Sequence, residues 1–160
     1  MTLVEFNSTS SISDWFVVDD IIMGGRSDSG FYLNPEGNAV FKGFVSLENN
    51  GGFSMIKHPI ENMEVGQYSK VVLKLKGDGK RYQFRLKSNA REQHSYVSYF
   101  LTSGDWQIIE IPLSELYPTF RGQKLQIENY PNKVLGEIAI LIGNKKAESF
   151  QLEIKWIVLK

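Results

Sequence analysis

The chain has 160 residues, with 18 basic and 18 acidic side chains, and no cysteine. That length suits one domain, residues 1–160, with a real core, and a 42% share of hydrophobic residues excludes a disordered chain. Charge neutrality argues against a nucleic-acid binder driven by net charge, and the lack of cysteine excludes a disulfide framework and a thiolate metal site.

In chain order, Val4 to Phe6 reads as a short edge strand, followed by a loop rich in Ser, Thr and Asn. The first fifteen residues show no basic region leading into an apolar one, so no signal or transit peptide is expected. Trp15 to Val18 is β-prone and runs into Asp19, Asp20 and the pair Gly24-Gly25. Phe31 to Leu33 and Val40 to Leu47 form a predicted hairpin across Asn34-Pro35-Glu36-Gly37. Phe41, Gly43, Val45 and Leu47 fall on one face at period two, which marks a strand with a buried side. Phe53 to Lys57 follows Gly51-Gly52, and Pro59 to Gly66 reads as a connection.

Val71, Leu73 and Leu75 alternate with lysines, and Tyr82, Phe84 and Leu86 alternate with Arg81, Gln83, Arg85 and Lys87. Between them, Gly77-Asp78-Gly79 predicts a hairpin turn. Tyr96 to Leu101 and Trp106 to Ile111 predict a second hairpin across Thr102 to Asp105, with a bulge between Ile108 and Ile109. Leu113 to Leu116 reads as a helical turn and Pro118 to Gln123 as a loop. Ile138 to Ile142, read as buried on both faces, is the longest apolar run and far too short to cross a bilayer. Phe150, Leu152, Ile154, Trp156 and Val158 close the chain on an alternating strand, with Trp156 expected in the core. Many short strands, Gly/Asn/Asp turns and no long helix predict an all-β sandwich or jelly roll of two antiparallel sheets.

Several segments together carry a family resemblance. They are DDIIMGGRS at Asp19–Ser27, FKGFVSLENNGGF at Phe41–Phe53, GDGKRY at Gly77–Tyr82 and the Trp106 to Pro112 spacing. FRG at Phe120–Gly122 and the closing FQLEIKWI complete the set. In this order they resemble the complex I intermediate-associated protein family, the assembly factor of mitochondrial NADH:ubiquinone oxidoreductase with its bacterial and plastid relatives. The resemblance implies a galactose-binding-like jelly roll similar to family-eleven carbohydrate-binding modules. It also implies a binding or assembly role and brings no catalytic residues. Mitochondrial members carry a targeting extension before the domain, whereas this chain begins almost at the first motif. A stand-alone bacterial relative in the cytoplasm is therefore expected.

The residues themselves offer little chemistry. The two glycine pairs could cradle an anion as backbone nests, but neither continues into Gly-Lys-Ser/Thr, and tight turns explain them better. Asp19, Asp20, Asp28, Glu48 and Asn49 are of the type that ligates Ca²⁺, yet no calcium-loop spacing links them. With His58 and His94 as the only histidines and no Gly-x-Ser-x-Gly elbow, neither a zinc site nor a hydrolase triad is predicted.

Arg81, Arg85 and Lys87 share the outward face of one strand, with Lys74 and Lys76 read as lying on its neighbour. The expectation is thus a non-enzymatic binding module without metal or cofactor. Its predicted recognition surface comprises Asp20, Met23, Arg26, Asn49 and Asn50 on the loops, with Arg81, Arg85, Tyr96 and Trp106. The expected partner is a protein, a respiratory-complex subunit or assembly intermediate, and neither nucleic acid nor membrane. The alternative is a glycan stacked on an exposed aromatic, with Trp106, Tyr96 and Tyr99 the candidates.

Overall fold

The structure, a computed structural model, describes residues 1–19, 28–48 and 52–160. Among these the strands are β1 (Thr2–Glu5), β2 (Phe16–Asp19), β3 (Asp28–Leu33), β4 (Ala39–Val45), β5 (Ser54–Glu64), β6 (Lys70–Lys76) and β7 (Arg81–Lys87). They continue with β8 (Ser95–Leu101), β9 (Trp106–Pro112), β10 (Tyr117–Phe120), β11 (Gln123–Lys124), β12 (Val134–Ile142) and β13 (Glu148–Leu159). A 3-10 turn, Leu113–Glu115, sits where a helical turn is expected.

Two antiparallel sheets face each other. The front sheet has seven strands in the order β11-β10-β8-β7-β12-β5-β2. The back sheet has six, in the order β3-β4-β13-β6-β9 with β1 also paired to β13. Period-two patterning fixes which side of each strand is buried, because successive side chains point to opposite faces. Tyr82, Phe84 and Leu86 of the front sheet and Phe41, Leu73, Leu75, Leu152 and Ile154 of the back sheet are buried in one core. β12 is buried on both faces along almost all of its length, as its continuous apolar run predicts. The β3–β4 hairpin also forms in the expected place, with Leu33 opposite Ala39.

The predicted hairpins at Gly77–Gly79 and Thr102–Asp105 are instead crossovers between the sheets. β6 pairs with β13 and β9 at the back, while β7 pairs with β8 and β12 at the front. Alternation requires only that each strand bury one face, and strands on opposite sides of a core meet that demand equally well. The two crossovers are packed together. The Thr102 hydroxyl donates to the Lys80 carbonyl at 2.7 Å, and a Cβ on Gly77 would lie 2.2 Å from the Thr102 side chain. Only glycine fits there.

Other local expectations change for identifiable reasons. The register between β6 and β9 runs without a bulge, so Ile108 is exposed beside Lys74 rather than shifted in phase. A bulge occurs in β13 instead, between Ile154 and Trp156. It carries Ile157 and Leu159 into the core and turns Trp156 and Val158 to the outward face, half-buried. Pro59 lies within the long strand β5 rather than in a connection. The expected loop at Pro118–Gln123 is the β10–β11 hairpin, turned by Arg121 at φ 50° and Gly122 at φ 78°. Two successive positive φ values are what a two-residue hairpin turn needs.

Candidate functional site

β7 carries the candidate site because its two faces differ so sharply. Its inward residues lock the strand into the core, and Arg81, Gln83, Arg85 and Lys87 are left on the outward face of the front sheet. The register extends that face sideways. Tyr117, Val97, Arg85, Ala139, Lys57 and Phe16 are successive cross-strand partners, a strip across the sheet. At the usual strand spacing this strip is about 24 Å long. Its middle is recessed, for Val97 is 1% exposed and Ala139 3%, although both point away from the core.

The polar side chains on this face hold one another. Arg85 donates from Nη1 to Gln83 Oε1 at 2.9 Å, and Gln83 donates from Nε2 to the Tyr99 hydroxyl at 3.2 Å. The Arg81 guanidinium lies 4.2 Å from the Tyr99 ring centroid, a cation–π contact. Two guanidiniums are therefore tied to one tyrosine, one directly and one through Gln83. At the far end Lys124 Nζ lies 5.4 Å from the Tyr117 ring centroid, and Lys87 Nζ donates to the Glu92 carbonyl at 2.6 Å.

Burial draws the Arg85 pKa below the ordinary arginine value, opposed by the neighbouring Tyr99, Glu137 and Tyr117. An arginine so placed still carries its charge at neutral pH, now in a setting where an anion is held more strongly than in water. Burial also raises the Tyr117 phenol, an effect enlarged by Tyr99 and reduced by Arg81 and Arg85. Such an arrangement can donate hydrogen bonds and stack on flat groups. Among the described residues no group of three or more His, Cys, Asp or Glu side chains is placed to hold a metal ion.

Of the residues singled out in the sequence, Arg81 and Arg85 share this face. Tyr96 does not. It is opposite Leu86 on the core side, 7% exposed, packed against Tyr130 and hydrogen-bonded through its hydroxyl to His94 Nε2 at 3.2 Å. Trp106 lies on the outward face of the back sheet, opposite Lys76, and Lys74 is on that face too. Neither lysine adjoins β7. Asp20, Met23, Arg26, Asn49 and Asn50 lie outside the described residues.

Gln83, Tyr117 and Glu137 also belong to the face and were not singled out as site residues. Gln83 could have been found from its phase with Arg81 and Arg85. Tyr117 belongs to a segment whose turn residues mask a short strand. Glu137 joins the face through long-range pairing with Lys87, which no local pattern reveals.

Comparison with known proteins gives the fold and the family. The family 11 carbohydrate-binding module of the cellulosomal cellulase Lic26A-Cel5E of Clostridium thermocellum matches with a TM-score of 0.68 at 13% identity, covering 98% of this chain and 92% of that one. The Clostridium thermocellum module in complex with a β-1,3-1,4-mixed-linked tetrasaccharide matches with a TM-score of 0.64 at 13% identity, covering 97% of this chain and 94% of that one. These likenesses establish a jelly-roll sandwich. Mitochondrial Complex I intermediate-associated protein 30 of Drosophila melanogaster is 23% identical over 141 residues, covering 74% of this chain and 48% of that protein. This chain thus spans about half the length of that curated relative. The family described as Complex I intermediate-associated protein 30 (CIA30) matches residues 4–154, and the chain belongs to it.

Proposed function

We propose that the chain is a non-catalytic binding module of the assembly-factor kind, which holds a protein partner on the outward face of the front sheet. The partner class is a respiratory-complex subunit or assembly intermediate, as the family name suggests. The observation that carries the reading is the array of Arg81, Tyr99, Gln83 and Arg85, held together before any partner arrives. Tyrosine and arginine dominate the energetics of protein interfaces, and side chains already ordered lose less entropy on binding. Asp20, Met23, Arg26, Asn49 and Asn50 are proposed to add loop contacts. A bacterial cytoplasmic setting accords with a chain free of cysteine. Among the described residues no helix is long and apolar enough to cross a membrane.

A photo-crosslinking side chain at Leu101, 66% exposed on the front-sheet face, tests this reading against one at Ile108, 58% exposed on the back sheet. Adducts with a complex I subunit or assembly intermediate are expected from Leu101 and not from Ile108. Adducts from Ile108 alone would place the partner on the other sheet. A second reading, glycan binding on the same face, draws on the fold neighbour in complex with a tetrasaccharide and on the Tyr99 and Tyr117 rings. Calorimetry with mixed-linked glucan separates the two, since a saturable heat supports the glycan and its absence leaves the protein partner ahead.

A further inference from the structure

The cations of a formally neutral chain are unevenly placed. On β7 and its two flanking strands, the outward side chains include Arg81, Arg85 and Lys87 against a single carboxylate, Glu137. Alternate positions on a strand are about 6.7 Å apart, so Arg81 and Arg85 are separated by about 13 Å and Lys87 follows about 7 Å further on. Every second side chain of an extended peptide repeats at the same distance. A sugar chain or a lipid headgroup has no such matching interval.

Both guanidiniums keep donors to spare. A guanidinium has five N–H donors, and among the described residues Arg85 makes one side-chain hydrogen bond, to Gln83. Arg81 meets the Tyr99 ring at 4.2 Å and makes no side-chain hydrogen bond among the described residues, which leaves its N–H groups open to a planar acceptor. Half-burial of Arg85 strengthens any anion contact made there.

We infer that this face receives an extended acidic segment of a protein partner, laid along β7 with carboxylates four residues apart on Arg81 and Arg85 and the residue between them over Gln83. The inference rests on the protein-partner reading above and names the chemistry of what that surface recognises. Lys87 takes a third carboxylate, and Tyr99 bounds the segment on one side while holding Arg81 in place.

The test uses three synthetic decapeptides titrated into the isotope-labelled full chain by NMR. One alternates Thr and Glu, one alternates Thr and Gln, and one groups five Thr before five Glu. The alternating acidic peptide should bind saturably with shifts at Arg81, Arg85 and Tyr99, and more tightly than the grouped peptide of equal charge. Arg81→Gln, a change at an exposed position, should weaken it about tenfold, the loss that accompanies one charge-assisted hydrogen bond. Equal binding of the alternating and grouped peptides, or undiminished binding by Arg81→Gln, would overturn the inference. So would shifts on this face from mixed-linked glucan or anionic lipid vesicles but not from the alternating peptide. If the peptides fail while the Leu101 crosslinker still captures the partner, the acidic segment falls and the protein-binding face stands. If both fail, both readings fall.

Discussion

The guanidinium of Arg81 lies 4.2 Å from the ring centroid of Tyr99, although the strand register sets Arg81 opposite Leu101 and Tyr99 opposite Gln83. The contact is diagonal, so Tyr99 serves two residues of β7 at once. Its ring holds Arg81, and its hydroxyl accepts from Gln83, which in turn accepts from Arg85. Tyr99→Phe keeps the ring and loses the acceptor, whereas Tyr99→Ala loses both. Since Tyr99 is 41% exposed, the alanine change should lower stability by less than about 1 kcal/mol. Partner capture should fall modestly for Tyr99→Phe and strongly for Tyr99→Ala, with melting temperatures showing that the fold is intact.

Asp78 pins the crossover from the back sheet to the front. Its Oδ1 accepts from the Tyr82 hydroxyl at 3.1 Å and the Lys80 amide at 3.2 Å, and its Oδ2 accepts from the Gln151 amide at 2.8 Å. Asp78→Ala removes all three and takes the acceptor from the hydroxyl of Tyr82, a residue with 0% exposure. The expected destabilisation is about 2–4 kcal/mol, read as a lower urea midpoint with an unchanged slope.

The β3–β4 pair supplies a matched test of packing. A Cβ on Gly43 would lie 2.1 Å from the Asp28 carbonyl oxygen, whereas one on Gly30 would meet nothing within 4 Å. Gly43→Ala should therefore force the two strands apart and cost about 1–3 kcal/mol, the range for overpacking. Gly30→Ala should stay within about 0.5 kcal/mol of the parent. Thermal unfolding of the two variants side by side measures the difference.

Alkaline pH should unfold this protein through its tyrosines. Burial raises the phenol pKa of Tyr82, Tyr130, Tyr96 and Tyr117 above the ordinary value, and Asp78 adds to the effect at Tyr82. An unfolded tyrosine ionises near pH 10, so above that pH the unfolded state binds fewer protons than the native one and stability falls. The contribution is complete below about pH 10 and is lost as the pH rises toward the folded values. Urea midpoints should hold from pH 7 to 9 and drop by pH 11. Tyrosinate absorbance should show a fraction of the seven tyrosines ionising only on unfolding.

Much of the fold is legible in the sequence because burying one side of a strand leaves a period-two trace, as in β7. Partnership leaves no such trace. Gly77-Asp78-Gly79 suits a hairpin turn and an inter-sheet crossover alike, and only the positions of β12 and β13, far along the chain, decide between them. Trp156 illustrates a second limit. One extra residue in β13 reverses the facing of everything after it, and the run Ile154 to Leu159 is apolar enough at both phases to hide the change. For the site, alternation was enough to put Arg81 and Arg85 together outward. It could not place Trp106 on the opposite sheet, since that depends on β9 pairing with β6. Tyr96 and Tyr99 are three residues apart on one strand and face opposite ways, so an aromatic's neighbours in sequence do not decide whether it can meet a ligand.

The most direct measurement compares charge reversal on the two outward faces in the native host, with captured proteins quantified by isotope-labelled mass spectrometry. One variant carries Arg81→Glu with Lys87→Glu on the front sheet, the other Lys74→Glu with Lys76→Glu on the back, and both are first shown to melt near the parent temperature. Loss of complex I subunits or intermediates from the front-sheet variant alone is the predicted result. Full capture by the front-sheet variant, with loss confined to the back-sheet variant, would contradict the account.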